Sequence, residues 1–156
     1  MQKIYFEALN QTSPSKEIFM KLLMLVNPVA GRQRGKIVAQ KSLDIFQQQG
    51  IEVEHCYSEH AGHLSKIAER EVNRDWDGIV ALGGDGTLFE VINGMMRGND
   101  DLPIPVGVMP VGTGNSFFRD LAIQTHDDAI GKIINGKTRK VDLGKCVCAE
   151  HTFEMV

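Results

Sequence analysis

Gly83-Gly84-Asp85-Gly86-Thr87-Leu88-Phe89-Glu90-Val91-Ile92-Asn93-Gly94-Met95-Met96-Arg97 follows directly on the apolar run Gly78-Ile79-Val80-Ala81-Leu82. The run has the length of a strand and no polar residue, as in a strand buried on both faces. Beyond the glycines the period changes. Leu88, Val91, Ile92 and Met95 fall at i, i+3, i+4 and i+7 and make one buried stripe, while Glu90, Asn93 and Arg97 mark another face. A strand entering a helix through a short glycine loop is half of a βαβ unit, which predicts an α/β fold with a mainly parallel sheet.

The same alternation extends in both directions. Residues 22–27, 51–58 and 104–109 read as further strands. Residues 36–49 and 64–72 carry helix-spaced apolar positions, with Gly50 where a C-cap glycine belongs. Another helical pattern, 127–134, ends in Asn135-Gly136, and 138–149 reads as strand. Residues 1–20 show no sustained periodicity and read as an extension. The expected architecture is a three-layer, Rossmann-like domain whose strands ending at Asn27, Leu82 and Met109 are parallel, with the following loops on one edge.

Composition narrows the classes. A chain of 156 residues that is 42% hydrophobic and 24% charged describes one ordinary globular domain, able to bury about two-thirds of its unfolded surface. No apolar stretch approaches the roughly 20 residues of a membrane span, and the N-terminus lacks signal-peptide order. Cytoplasmic location is the expectation. A net charge of −3 gives no basic field for nucleic acid, so anion binding has to come from a local site. Cys56, Cys146 and Cys148 are odd in number and read as core or strand residues. Neither Cys56 with His60 and His63 nor Cys146 with Cys148 has the paired spacing of a zinc module.

Eight of the 16 glycines lie between Gly83 and Gly114, most of them just after predicted strands. In an open parallel sheet that is the ligand edge. The loop Gly83-Gly84-Asp85-Gly86-Thr87 can converge bare backbone N–H groups and a helix N-terminus on a phosphate. The plainer reading is a tight turn with Thr87 and Glu90 as a capping box, and the two readings are compatible. Asp85 is then either a metal-side carboxylate or a base for an incoming hydroxyl. Gly112-Thr113-Gly114-Asn115 repeats the arrangement one strand further on. Asn27-Pro28-Val29-Ala30-Gly31 ends the first strand, and Arg32, Arg34 and Lys36 behind it would suit a triphosphate. Neither a Walker A loop nor a dinucleotide fingerprint fits, because Ile37 stands at the Ser/Thr position of the one and no third glycine completes the other. Arg70, Arg74 and Arg97 read as helix-face charges.

The order Asn27-Pro28-x-x-Gly31, Gly83-Gly84-Asp85-Gly86-Thr87 with Glu90 and Asn93-Gly94, then Pro110-x-Gly112-Thr113-Gly114-Asn115 resembles the catalytic domain of the diacylglycerol kinase family, from about Lys21 to Gly144. That family includes bacterial lipid kinases and sphingosine kinases, and its fold is related to that of NAD kinases. The resemblance implies ATP-dependent phosphorylation of a lipid hydroxyl at a membrane surface, with Mg2+, by a protein associated peripherally with the inner face. It implies a nucleotide site of Asn27, Gly31, Ser58, Gly83, Gly84, Asp85, Gly86, Thr87, Gly112, Thr113 and Asn115, with Asp85 as the catalytic candidate. Ser58 replaces a threonine usual in the family. Ser116 stands where many diacylglycerol kinases have Asp; sphingosine kinases also lack an acid there, and Asp120 lies one turn further on. The resemblance also implies an extension at 1–20, a nucleotide-binding domain at 21–140 and the start of a β-rich second domain at 141–156, whose strands would be mobile or pair with another copy as a homodimer. The alternatives are a long-chain-base kinase, an enzyme like NAD kinase, and a nucleotide-binding module without catalysis.

Overall fold

The computed structural model describes residues 2–4, 20–112, 115–147 and 152–155, with side chains described for 20–112 and 115–146. In chain order the elements are β1 (Gln2–Ile4), β2 (Lys21–Val26), α1 (Ala30–Gln33), α2 (Gly35–Gln48), β3 (Glu52–Tyr57), α3 (His63–Glu71), β4 (Gly78–Gly83), α4 (Asp85–Gly98), β5 (Val106–Pro110), α5 (Ser116–Asp120), α6 (His126–Ile134), β6 (Val141–Val147) and β7 (Thr152–Met155). Four strands form one parallel sheet in the order β3-β2-β4-β5. The remaining three form a separate antiparallel sheet, β1-β6-β7.

β2 and β4 are central, and their residues Leu-Leu-Met-Leu-Val and Ile-Val-Ala-Leu are all buried. Such unbroken apolar runs belong to strands covered on both faces. α2 and α6 touch each other and cover one face, whereas α3 and α4 pack together on the other. Right-handed crossovers account for the division: β2-α2-β3 runs toward one sheet edge, while β3-α3-β4 and β4-α4-β5 run toward the opposite one. The direction reverses between β2 and β4, so the topological switch point lies at their carboxyl ends.

The α3–α4 seam is unusually close. A Cβ on Gly94 would stand 2.1 Å from the Ser65 carbonyl oxygen, and one on Gly98 would stand 2.3 Å from that of Glu69. Arg97 closes the same seam, donating from Nε to Glu69 at 3.2 Å and from its guanidinium to Ser65 Oγ. It is therefore an interhelix clamp rather than a helix-face charge. Arg70 and Arg74 likewise flank Glu71, whose carboxylate is buried and also accepts from the Trp76 indole.

The structure departs from the sequence reading at several places. Gln2–Ile4, read as part of an extension, pairs antiparallel with β6. The strand expected from residue 138 begins at Val141, and residues 148–150 lie outside the described residues. α4 begins at Asp85 rather than Thr87 because the Gly84 carbonyl already accepts from the N–H groups of Thr87 and Leu88. Thr87 and Glu90 therefore form no capping box. The box occurs instead at α6, where Thr125 and Asp128 cap each other reciprocally, and these bonds hold the Asp128 carboxyl below the usual carboxylate range.

Candidate functional site

Parallel pairing sends the loops after β2, β3, β4 and β5 to one edge, where they enclose a cleft of about 1020 Å3. Asn27, Gly31, Ser58, Gly84, Asp85, Gly86, Thr87 and Gly112 all line it. Of the other expected site residues, Gly83 ends β4 behind the cleft, and Asn115 is tied to the loop by a 2.7 Å bond from Nδ2 to the Gly112 carbonyl. Thr113 lies outside the described residues.

The loop after β2 is held from both sides. Asn27 Oδ1 accepts from the Val29 N–H at 3.1 Å, and Asn27 Nδ2 donates to Thr87 Oγ1 at 3.3 Å, which links it to the start of α4. Gly31, Arg32 and Gln33 then all take left-handed backbone, with φ of 59°, 60° and 67°. Glycine alone adopts this at no steric cost. The turn carries Gly31 against the loop after β5: a Cβ on Gly31 would stand 2.7 Å from Val111 Cγ1, and one on Gly112 would stand 3.1 Å from Gly31 Cα. Arg32 and Arg34 line the cleft, whereas Lys36 points elsewhere, its Nζ 5.7 Å from the Tyr57 ring centroid.

The glycines after β4 have different reasons. Gly83 is required by packing, since a Cβ there would meet Thr87 Oγ1 at 2.2 Å. Gly86 is not, for no atom of the described residues lies within 4 Å of where its Cβ would stand. Its lack of a side chain keeps space open at the first turn of α4, where backbone dipoles favour an anion.

Asp85 sits at the same turn, half-buried, with Oδ2 accepting from the Ser116 N–H at 2.8 Å. Its Oδ1 is buried without a partner among the described residues, and so is Asn115 Oδ1. Two orphaned acceptor oxygens fit a hard cation, which takes oxygen ligands. Asp120, one turn beyond Ser116, is exposed and is not among the residues that line the cleft.

Across the cleft, Ser58, Glu59, His60, Ala61 and Leu64 form the opposite rim. His63 Nδ1 accepts from the Glu59 N–H at 3.1 Å, and its ring stacks on His60 with centroids 5.0 Å apart. Among the described residues no three His, Cys, Asp or Glu side chains are grouped to hold a metal, and Cys56 is not part of this rim. Cys56 lies on edge strand β3, where burial foremost, then the nearby Glu71, pushes its thiol up from the ordinary range. Glu90 also lines the cleft, and the loop composition gave no sign of its role. Its carboxylate accepts from the N–H groups of Gly62 and Leu64, 28 and 26 residues away.

Known proteins resemble this chain in sequence and in fold. The sequence model of the diacylglycerol kinase catalytic domain matches residues 21–146. A diacylglycerol kinase of Bacillus subtilis (strain 168) is 38% identical over 124 residues, covering 78% of this chain and 40% of the relative. Sphingosine kinase 1 of Arabidopsis thaliana is 30% identical over 132 residues, covering 79% of this chain and 27% of that protein. A crystal structure of a diacylglycerol kinase from Bacillus anthracis str. Sterne superposes with a TM-score of 0.64 at 27% identity, covering 77% of this chain and 41% of the other. The chain thus spans about 40% or less of the length of these relatives.

Proposed function

Because the chain belongs to the diacylglycerol kinase catalytic-domain family, we propose that its cleft binds ATP and that the protein transfers the γ-phosphoryl group to a lipid hydroxyl. One observation carries this reading. Gly86 leaves open space at the start of α4 beside Asp85 Oδ1, which has no partner among the described residues, and the two combine an anion cradle with an acceptor for a cation. Phosphoryl transfer asks a protein mainly for positioning and charge stabilisation, and these are what the cleft supplies. Residues 83–87 would seat the phosphates, with Arg32 and Arg34 offsetting their charge.

Asp85 and Asn115 would hold Mg2+, which when bound neutralises charge on the phosphate oxygens. Ser116 supplies no side-chain acid there, and its N–H instead fixes the Asp85 carboxylate.

The acceptor is either diacylglycerol or a long-chain base, since named relatives include kinases of both kinds. A lipid acceptor entails working at a membrane surface as a peripheral protein. Among the described residues no helix is long and apolar enough to cross a membrane. Residues 141–156 would begin a second β-rich unit, a reading supported by the separate sheet that β6 and β7 build with β1.

The test uses the full-length protein with labelled ATP, Mg2+ and micelles containing diacylglycerol or sphingosine. Label in one lipid and not the other identifies the acceptor. Asp85→Asn should lower turnover far more than ATP affinity. Failure to label either lipid, with intact ATP binding, would leave a binding module without chemistry and overturn the kinase reading.

A further inference from the structure

The N-cap of α3 is Gly62, which has φ of +79° and no side chain to cap the helix. The cap comes instead from α4: Glu90 Oε1 accepts from the Gly62 N–H at 2.8 Å, and Oε2 accepts from the Leu64 N–H at 3.2 Å. A carboxylate at a helix N-terminus satisfies orphan donors and opposes the positive end of the dipole. Glu90 is also the cleft end of the α3–α4 seam, with Gly94, Arg97 and Gly98 following at i+4, i+7 and i+8 and packing on Ser65 and Glu69. One face of α4 thus fixes both the first turn of α3 and the loop leading into it.

That loop is the rim opposite the phosphate side of the cleft. It presents Ser58, Glu59, His60 and Ala61, with Leu64 behind, whereas Arg32, Arg34 and the start of α4 occupy the other side. A hydroxyl and an imidazole ring suit a nucleoside and the Glu59 carboxylate disfavours phosphate there, whereas the basic, amide-rich side suits phosphates.

We propose that Glu90 is a positioning residue: by capping α3 from α4 it locks the Ser58-to-Ala61 rim at a fixed distance from residues 83–87 and thereby sets affinity for the nucleoside part of the nucleotide. This rests on the proposal that the cleft binds ATP. Both Glu90 carboxylate oxygens are engaged by the N–H groups of Gly62 and Leu64, so its effect on the nucleotide would pass through the rim.

The experiment compares ATP with inorganic tripolyphosphate by calorimetry on the 156-residue chain and its Glu90→Gln and Glu90→Ala variants. Amide hydrogen exchange is followed at Gly62 and Leu64. Loss of two charge-assisted bonds should raise the ATP Kd about tenfold in Glu90→Ala, and less in Glu90→Gln, which keeps one acceptor. Tripolyphosphate affinity should stay within about twofold, because residues 83–87 do not depend on the cap. Faster exchange should be confined to the first turn of α3 and its loop. Equal weakening of both ligands, or protection lost throughout the chain, would make Glu90 merely structural and overturn the proposal. Unchanged ATP affinity in both variants would also overturn it. If Glu90→Ala does not fold, Glu90→Gln carries the same comparison. Failure of the unsubstituted chain to bind ATP would overturn the nucleotide reading itself, an outcome distinct from binding that is indifferent to position 90.

Discussion

Asn27 and Thr87 stand 60 residues apart, yet the Asn27 amide donates to the Thr87 hydroxyl at 3.3 Å across the switch point of the sheet. The bond ties the loop after β2 to the first turn of α4, two segments that line the cleft. Replacing either partner, Asn27→Ala or Thr87→Val, should cost about 1 kcal/mol, and the double variant should cost less than the sum. Urea denaturation of the four proteins measures the coupling, and strict additivity would show that the two loops are held independently.

Gly86 separates structure from function more sharply. With open space around its Cβ position, Gly86→Ala should leave the fold intact and stability unchanged or slightly higher. ATP affinity should fall at least tenfold as the methyl group enters the cradle. Calorimetry beside thermal melting checks both, and normal affinity would place the phosphates elsewhere.

Gly94→Ala should do the opposite. The new methyl would press on the Ser65 carbonyl, which is backbone and has nowhere to go, so α3 and α4 must separate at a cost of about 1–3 kcal/mol. Gly131→Ala in α6 is the control: nothing lies near its Cβ position, and it should stabilise by about 0.5–1 kcal/mol. Denaturation midpoints for the pair should move in opposite directions.

The raised thiol of Cys56 predicts a pH dependence. Only the thiolate reacts with iodoacetamide, so a pKa above the ordinary range leaves Cys56 almost fully protonated near neutrality and delays its labelling to more alkaline pH. Cys146, which is exposed, should be labelled first. Peptide mass spectrometry across about pH 7 to 10 would show the order, and early modification of Cys56 at neutral pH would contradict it.

What the sequence disclosed were features with a local cause. The buried runs of β2 and β4 and the stripe Leu88, Val91, Ile92, Met95 on α4 need only periodicity to be read, and the glycines after β4 mark a loop by composition. Features with a distant cause stayed hidden. Glu90 was paired with Thr87 because both fit a local capping pattern, whereas its partners are the amides of Gly62 and Leu64 on another helix. The left-handed run through Arg32 and Gln33 is not legible either, since nothing in those residue types asks for positive φ. Lys36 was grouped with Arg32 and Arg34 by spacing alone, but the first turns of α2 carry it toward Tyr57.

The strand order β3-β2-β4-β5 also bears on how the cleft comes into being. β2 pairs with β4 across 56 residues, Leu22 with Gly78, and holds β3 on its other side. Long loops closed before any contact is gained make such parallel pairings slow. Nucleotide would therefore bind only the folded sheet and hold it closed. On refolding from denaturant, nucleotide affinity should return only with the completed parallel sheet, because the loops that line the cleft are brought together by those strand pairings.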